Sequence, residues 1–153
     1  MHVTRVYVDT SVFGGTQDDE FAQASKAFFD KVRRGKFMLL ISEETIRELL
    51  DAPQGVRAVW ESLPTEALER VAIDEETTEL AEKYIEAGVL GAASASDALH
   101  VAAASVAGAD VILSWNFKHI VNLNRIRGFN GVNVMNGYPL MTVLCPLEVG
   151  DEG

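Results

Sequence analysis

The segment that most restricts this chain is Phe37 to Ile41, F-M-L-L-I, an apolar run with no polar interruption. A strand with one face in water alternates apolar and polar residues, so an uninterrupted run indicates a strand covered on both faces. Such strands belong to parallel sheets, whose crossover connections lay helices on both sides. Val3 to Val8 (V-T-R-V-Y-V) and Asp110 to Ser114 (D-V-I-L-S) have a similar β-branched or aromatic character and read as further strands.

The intervening stretches carry helix signals. Asp18-Asp19-Glu20 precede F-A-Q-A-S-K-A-F-F-D-K-V-R-R-G, which puts acids ahead of the first turn, bases in the last and Gly35 at the stop. Ser42 can cap a helix starting at Glu43, and Pro53 sets its end. A short helix from Gly55 to Leu63, a brief strand at Val71 to Ile73 and a helix from Asp74 to Ala87 follow. The small residues of D-A-L-H-V-A-A-A-S-V-A-G suit a helix lying close to the sheet, inside the core. Val132 to Val134 reads as an edge strand, and Asp9-Thr10-Ser11 with Gly14-Gly15 as a loop. The expected architecture is α/β: a single domain over residues 1–153, an α/β/α sandwich with a mainly parallel central sheet flanked by helices.

Composition excludes several classes. The chain has 153 residues, enough for one core without staples, and Cys145 is its only cysteine, so a disulfide scaffold is excluded. No apolar run approaches the ~20 residues of a membrane helix and Met1 to Val12 has no signal-peptide pattern, so neither a membrane span nor export is expected and the cytoplasm is the expected compartment. With 23 acidic and 13 basic residues the formal charge is -10, which argues against bulk electrostatic binding of nucleic acid. The basic residues cluster, however, at Lys31, Arg33, Arg34 and Lys36 and at Lys118, Arg125 and Arg127.

Sites in parallel α/β folds form outside the carboxyl ends of the strands. Asp9 follows the first strand, Glu48 lies in the helix after the second, Asp97 opens the small-residue helix and Asn116 follows the Asp110–Ser114 strand. Two carboxylates about 5 Å apart repel by roughly 3 kcal/mol at an effective dielectric of 20, so three together call for a cation. Oxygen ligands without His or Cys select Mg²⁺ or Mn²⁺ over zinc. His100 reads as a satisfied core histidine rather than a ligand. His119 with Lys118 either contacts phosphate or begins the basic helix that follows. Trp115 either stacks on a base or is buried at its strand end, and Gly14-Gly15 makes no phosphate loop.

V-Y-V-D-T-S, S-E-E-T-I-R-E-L, S-A-S-D-A-L-H-V-A-A-A, V-I-L-S-W-N-F-K-H-I and L-C-P-L-E-V, in this order from about Val3 to Val149, resemble a PIN domain, the metal-dependent nuclease family that includes VapC-type toxins. The resemblance implies catalytic or metal-binding roles for Asp9, Glu48 and Asp97, with Asn116 where a further Asp is common. It assigns Ser11 and Ser114 as site hydroxyls, with Lys118 and His119 beside the substrate. The implied activity is an Mg²⁺- or Mn²⁺-dependent endoribonuclease that hydrolyses RNA with a metal-activated water, the toxin of a bacterial toxin–antitoxin pair. An antitoxin partner and a homodimer are expected, the dimer also on the apolar Val56, Val59, Trp60 and Leu63. Asn116 removes one negative charge but not an oxygen ligand. It also supports a rival reading, a catalytically degenerate fold serving as a protein-binding or regulatory module. An aspartyl phosphotransfer domain is a weaker rival, since Ser11 stands where D-x-D-x-T requires an acid.

Overall fold

The computed structural model describes residues 2–149. Five strands, β1 (Thr4–Val8), β2 (Phe37–Ser42), β3 (Leu68–Val71), β4 (Val111–Leu113) and β5 (Thr142–Leu144), form one sheet in the order β3-β2-β1-β4-β5. Every pairing is parallel, with Val6 opposite Leu39 on one side and Val111 on the other. Helices α1 (Thr10–Gly15), α2 (Ala22–Arg33), α3 (Glu43–Leu50), α4 (Gln54–Glu61), α5 (Glu75–Glu86), α6 (Ala95–Ala107) and α7 (Leu123–Met135) cover it.

Strand side chains alternate between faces, and both faces are covered, which is why the strands read as apolar runs. Tyr7, Leu40 and Ile112 point to one core, completed by α5, α6 and α7 through Leu80, Tyr84, Val101, Ala104 and Phe129. Val6, Val8, Leu39, Ile41 and Leu113 point to the other, with Phe13, Phe28, Phe29 and Leu49 of α1, α2 and α3. The alanines of α6 let it lie against the sheet, and Ala98 and Val101 to Ala104 are fully buried. Val56 and Leu63 are buried in the second core and Val59 and Trp60 pack against it. Much of the apolar group that suggested a dimer thus packs within this chain, with Val59 and Trp60 partly buried. Among the described residues no helix is long and apolar enough to cross a membrane.

Three expectations are corrected. The segment after Asp9 is the helix α1, not a loop; Val12 and Phe13 are buried on its inner face. Gly15 permits that packing, because a Cβ there would come within 2.6 Å of Trp115 Nε1 and 2.5 Å of Ser25 Oγ. The Val71–Ile73 strand forms earlier, at Leu68–Val71, paired with Leu39 to Ser42. Val132 to Val134 lie in α7, not in an edge strand. Burial of Phe129, Val132 and Asn133, with Asn133 held by Tyr84 and Ser105, overrides the weak helix propensity of Gly128, Gly131 and the valines. The edge is β5.

Candidate active site at the carboxyl edge of the sheet

The strand order reverses at β1, so the crevice outside the carboxyl ends of β1 and β4 is the topological switch point, where folds of this kind bind ligands. Asp9 leaves β1 at that point, and Ser114, Trp115 and Asn116 leave β4. Ser11 Oγ donates to Asp9 Oδ1 at 2.5 Å and Ser114 Oγ to Oδ2 at 2.9 Å. The hydroxyls are themselves fixed: the Trp115 amide donates to Ser11 Oγ and the Asn116 amide to Ser114 Oγ, each at 2.9 Å. Asp9 is only 5% exposed. Burial raises its carboxyl above the usual range, against the lowering effects of the His100 charge and the two hydroxyls; nearby Asp97 raises it further.

Asp97 lies in the first turn of α6, where the helix dipole favours negative charge. Asn116 Nδ2 donates to its Oδ1 at 3.2 Å, and His119 Nδ1 donates to its Oδ2 at 2.9 Å. Asn116 Oδ1 accepts the His119 amide at 3.0 Å, and its backbone carbonyl accepts the amides of Ile120 and Val121. One end of the Asn116 side chain thus holds Asp97, while the other closes the turn that carries Lys118 and His119.

Glu48 sits in a second network. Its Oε1 accepts from Thr10 Oγ1 at 2.6 Å and lies 2.7 Å from His100 Nε2; Ser96 Oγ reaches Oε2 at 3.4 Å and Glu44 Oε2 at 2.6 Å. His100 Nδ1 lies 2.7 Å from Tyr7 Oη, which meets Ser42 Oγ at 2.7 Å. His100 is therefore a satisfied core histidine and also the partner of Glu48. Its burial favours the neutral ring, but Tyr7, Glu48 and Asp9 outweigh burial and push it up to about 10. Burial raises Glu48 too, yet hydrogen bonds from His100 and Thr10 and the charges of His100 and Arg47 hold it below the usual range.

Asp9, Ser11, Ser114, Asn116, Asp97 and His119 are thus joined in one hydrogen-bonded chain. Glu48 stands in the neighbouring network through Thr10, and Lys118 is exposed on the turn. The sequence puts three carboxylates into one ion-holding cluster. Among the described residues no group of three or more His, Cys, Asp or Glu side chains is placed to hold an ion; Glu48 is bonded to Thr10 and His100. Thr10 and Ser96 are additions to the expected set. Their signal was adjacency, since D-T-S and S-A-S-D flank the acids with hydroxyls. The Tyr7–His100 contact had no signal, its partners being 93 residues apart in the chain.

No family model matches the chain, and no curated protein matches it in sequence. Solved structures do. A chain of VapBC2 from Rickettsia felis, bound to a DNA fragment from its promoter, matches with a TM-score of 0.57 at 12% identity, covering 93% of this chain and 98% of its own. One of FitAcB from Neisseria gonorrhoeae matches with a TM-score of 0.59 at 13% identity, over 93% of this chain and 98% of the other. A chain of FitAB bound to an IR36 DNA fragment matches with a TM-score of 0.59 at 13% identity over 97% and 99%. At such identities the likeness is one of fold: the chain has an α/β fold like that of PIN domains.

Proposed function

We propose that the protein is a metal-dependent endoribonuclease of toxin type, with Asp9 and Asp97 as the direct holders of one Mg²⁺ or Mn²⁺ and Glu48 acting through water. The observation that carries this reading is the placement of Asp9 and Asp97 at the switch-point crevice, each fixed by two donors, Ser11 with Ser114 and Asn116 with His119. The donor chemistry fits a hard cation: two oxygen ligands, with coordination completed by water and substrate phosphate, suit Mg²⁺. Each carboxylate oxygen that accepts one protein hydrogen bond retains another lone pair. The two acids also sense one another electrostatically, a repulsion that an ion relieves.

When bound, the ion supplies charge neutralisation at the phosphodiester and a lowered pKa for attacking water. The residues of the chain do the positioning. Ser11 and Ser114 fix both oxygens of Asp9, the Asn116 amide orients Asp97, and Glu48, held by His100 and Thr10, is placed to orient water. Lys118 contributes a positive charge for phosphate in an otherwise acidic protein. Hydrolysis by water leaves a 5′-phosphate and a 3′-hydroxyl. VapBC2 and FitAB are structures of multicomponent assemblies, which supports an antitoxin protein as the partner of this chain too.

The test is cleavage of single-stranded RNA by purified protein with Mg²⁺ or Mn²⁺, its arrest by EDTA, and a rate at least about a hundredfold lower in Asp97→Asn. Undiminished cleavage by the double variant Asp9→Ala, Asp97→Ala would overturn the mechanism. Metal binding without cleavage of a broad RNA pool would favour the binding-module alternative.

A further inference from the structure

Trp115 is the aromatic residue that the sequence offers beside Asn116, but the structure commits it to packing. It is 6% exposed, its ring is stacked on Phe21 with centroids 4.1 Å apart and planes 18° apart, and its Nε1 donates to Ser25 Oγ at 2.8 Å. The next aromatic, Phe117, is different: it is 47% exposed. It is not adrift, since its ring meets Trp115 nearly edge-on at 6.1 Å and 64° and Phe21 at 6.3 Å and 55°. Its backbone belongs to the turn closed by Asn116, whose side chain and carbonyl accept the amides of His119, Ile120 and Val121. Phe117 is thus a half-exposed ring on a fixed aromatic base, one residue from the amide that holds Asp97 and one residue from exposed Lys118.

An exposed aromatic on the turn whose Asn116 holds Asp97, followed by exposed Lys118, offers a flat apolar surface with a cation next in sequence. The ligand that matches both is an unpaired base attached to a phosphate. Charge argues the same way. A protein with a formal net charge of -10 gains little from long-range attraction to a polyanion, so close contacts independent of that field must supply the affinity. Stacking is such a contact. We propose that Phe117 is the stacking platform for a nucleobase flanking the phosphodiester presented to the Asp9–Asp97 site, with Lys118 meeting an adjacent phosphate. The proposal rests on the nuclease reading and extends it to a specificity-determining residue: the substrate must be single-stranded at that position, because a base inside a duplex has no free face.

The experiment compares wild type with Phe117→Ala, Phe117→Leu and Phe117→Trp on a fluorescein-labelled single-stranded RNA in Mg²⁺, and on a 2′-O-methyl oligonucleotide binding in EDTA. Phe117→Ala and Phe117→Leu should raise KM and the binding Kd about tenfold or more, and raise KM by more than they lower kcat; Phe117→Trp should restore both. Leu retains the apolar packing, so a loss common to both substitutions separates stacking from folding. The loss should disappear with RNA carrying an abasic nucleotide at the stacked position, and the ratio of variant to wild-type Kd should stay constant from about 50 to about 200 mM salt. If wild type cuts the RNA and the variants keep its KM and Kd, or if base-bearing and abasic RNA suffer alike, the platform is overturned while the nuclease reading stands. If wild type neither cuts nor binds RNA, both fall. If the variants lose only the binding of a protein partner, Phe117 is a protein contact and the platform is likewise overturned.

Discussion

Glu48 and His100 are bonded through Oε1 and Nε2 at 2.7 Å, a half-exposed carboxylate of α3 held by an almost fully buried imidazole of α6. The pair gives stability a definite pH window. His100 is raised from 6.5 to about 10, so its stabilising contribution is complete below about 6.5 and is lost as the pH rises through about 10. Glu48 is lowered from 4.5, so its contribution is present above 4.5 and lost on acidification through its folded value. His100→Ala should cost about 2–4 kcal/mol at neutral pH, from the emptied volume and the broken bonds to Glu48 and Tyr7. It should also flatten the decline between about pH 7 and pH 10. Urea unfolding across that range measures both effects, and an unchanged alkaline slope in the variant would show that His100 is not the titrating group.

Asp9 has the opposite relation to stability. Burial raises its carboxyl, so stability falls as the pH rises from the ordinary carboxylate value of 3.8 to the raised one, and the full cost of ionisation applies above it. Asp9→Asn, which keeps the shape and removes the charge, should raise Tm in EDTA by about 2–4 °C while abolishing cleavage. Differential scanning calorimetry without divalent ions decides it; a lower Tm would mean that the Ser11 and Ser114 bonds outweigh the burial penalty.

Divalent ions should stabilise the wild type, because they neutralise the Asp9–Asp97 repulsion. At an Mg²⁺ concentration about a hundred times Kd the gain is about 2.7 kcal/mol. Thermal unfolding followed during Mg²⁺ and Mn²⁺ titrations should show a rising transition that the double variant Asp9→Asn, Asp97→Asn lacks. Equal shifts in both proteins would remove the ion from these residues.

Asn116→Asp replaces a donor to Asp97 by a second negative charge at the same contact. In EDTA the variant should be less stable by about 1–3 kcal/mol. Mg²⁺ should return more stability to it than to the wild type, with RNA cleavage preserved or raised. Loss of cleavage with a normal ion-dependent Tm would indicate that the amide, by orienting Asp97 and closing the turn, matters more than a further acid.

Gly15→Ala should destabilise by about 1–3 kcal/mol, since its Cβ would meet Ser25 Oγ and Trp115 Nε1 well inside contact distance. Comparison of tryptophan emission with that of a Trp60→Phe background isolates the response of Trp115. No change in emission or Tm would mean that α1 can shift to make room.

The parallel α/β arrangement was legible because burial on both faces writes itself into apolar runs, α3 and α5 because their caps and end charges are local, and α2 because of its basic last turn and the Gly35 stop. Asp9 and Asn116 were legible as neighbours because strand ends of a parallel sheet share an edge, Asp97 as the acid that opens the small-residue helix, and Ser11 and Ser114 through the resemblance alone. The bond that holds Glu48 was not, since it comes from His100 of α6, whose other ring nitrogen is bonded to Tyr7 of β1. The residues Val132 to Val134 were misread because they have strand-like composition, and the contacts that favour the helix, the bonds of Asn133 to Tyr84 and Ser105, come from residues distant in sequence. Phe117 was passed over beside Trp115 because sequence does not say which of two aromatics the core takes.

The central position of β1, flanked by β2 and β4, has a temporal consequence. Asp9 and Ser114 lie 105 residues apart, and the site closes only when β4 takes its place against β1. Parallel pairing across so long a loop is slow to form, because closure entropy is paid before the contacts reward it. A chain emerging from the ribosome thus carries Asp9 early but remains chemically incomplete until its last third has been made. Throughout that interval one edge of β1 is unpaired, open to aggregation or to a chaperone. For a protein whose proposed activity threatens the cell that makes it, the strand order doubles as a delay, leaving a partner time to meet the chain before the reactive edge exists.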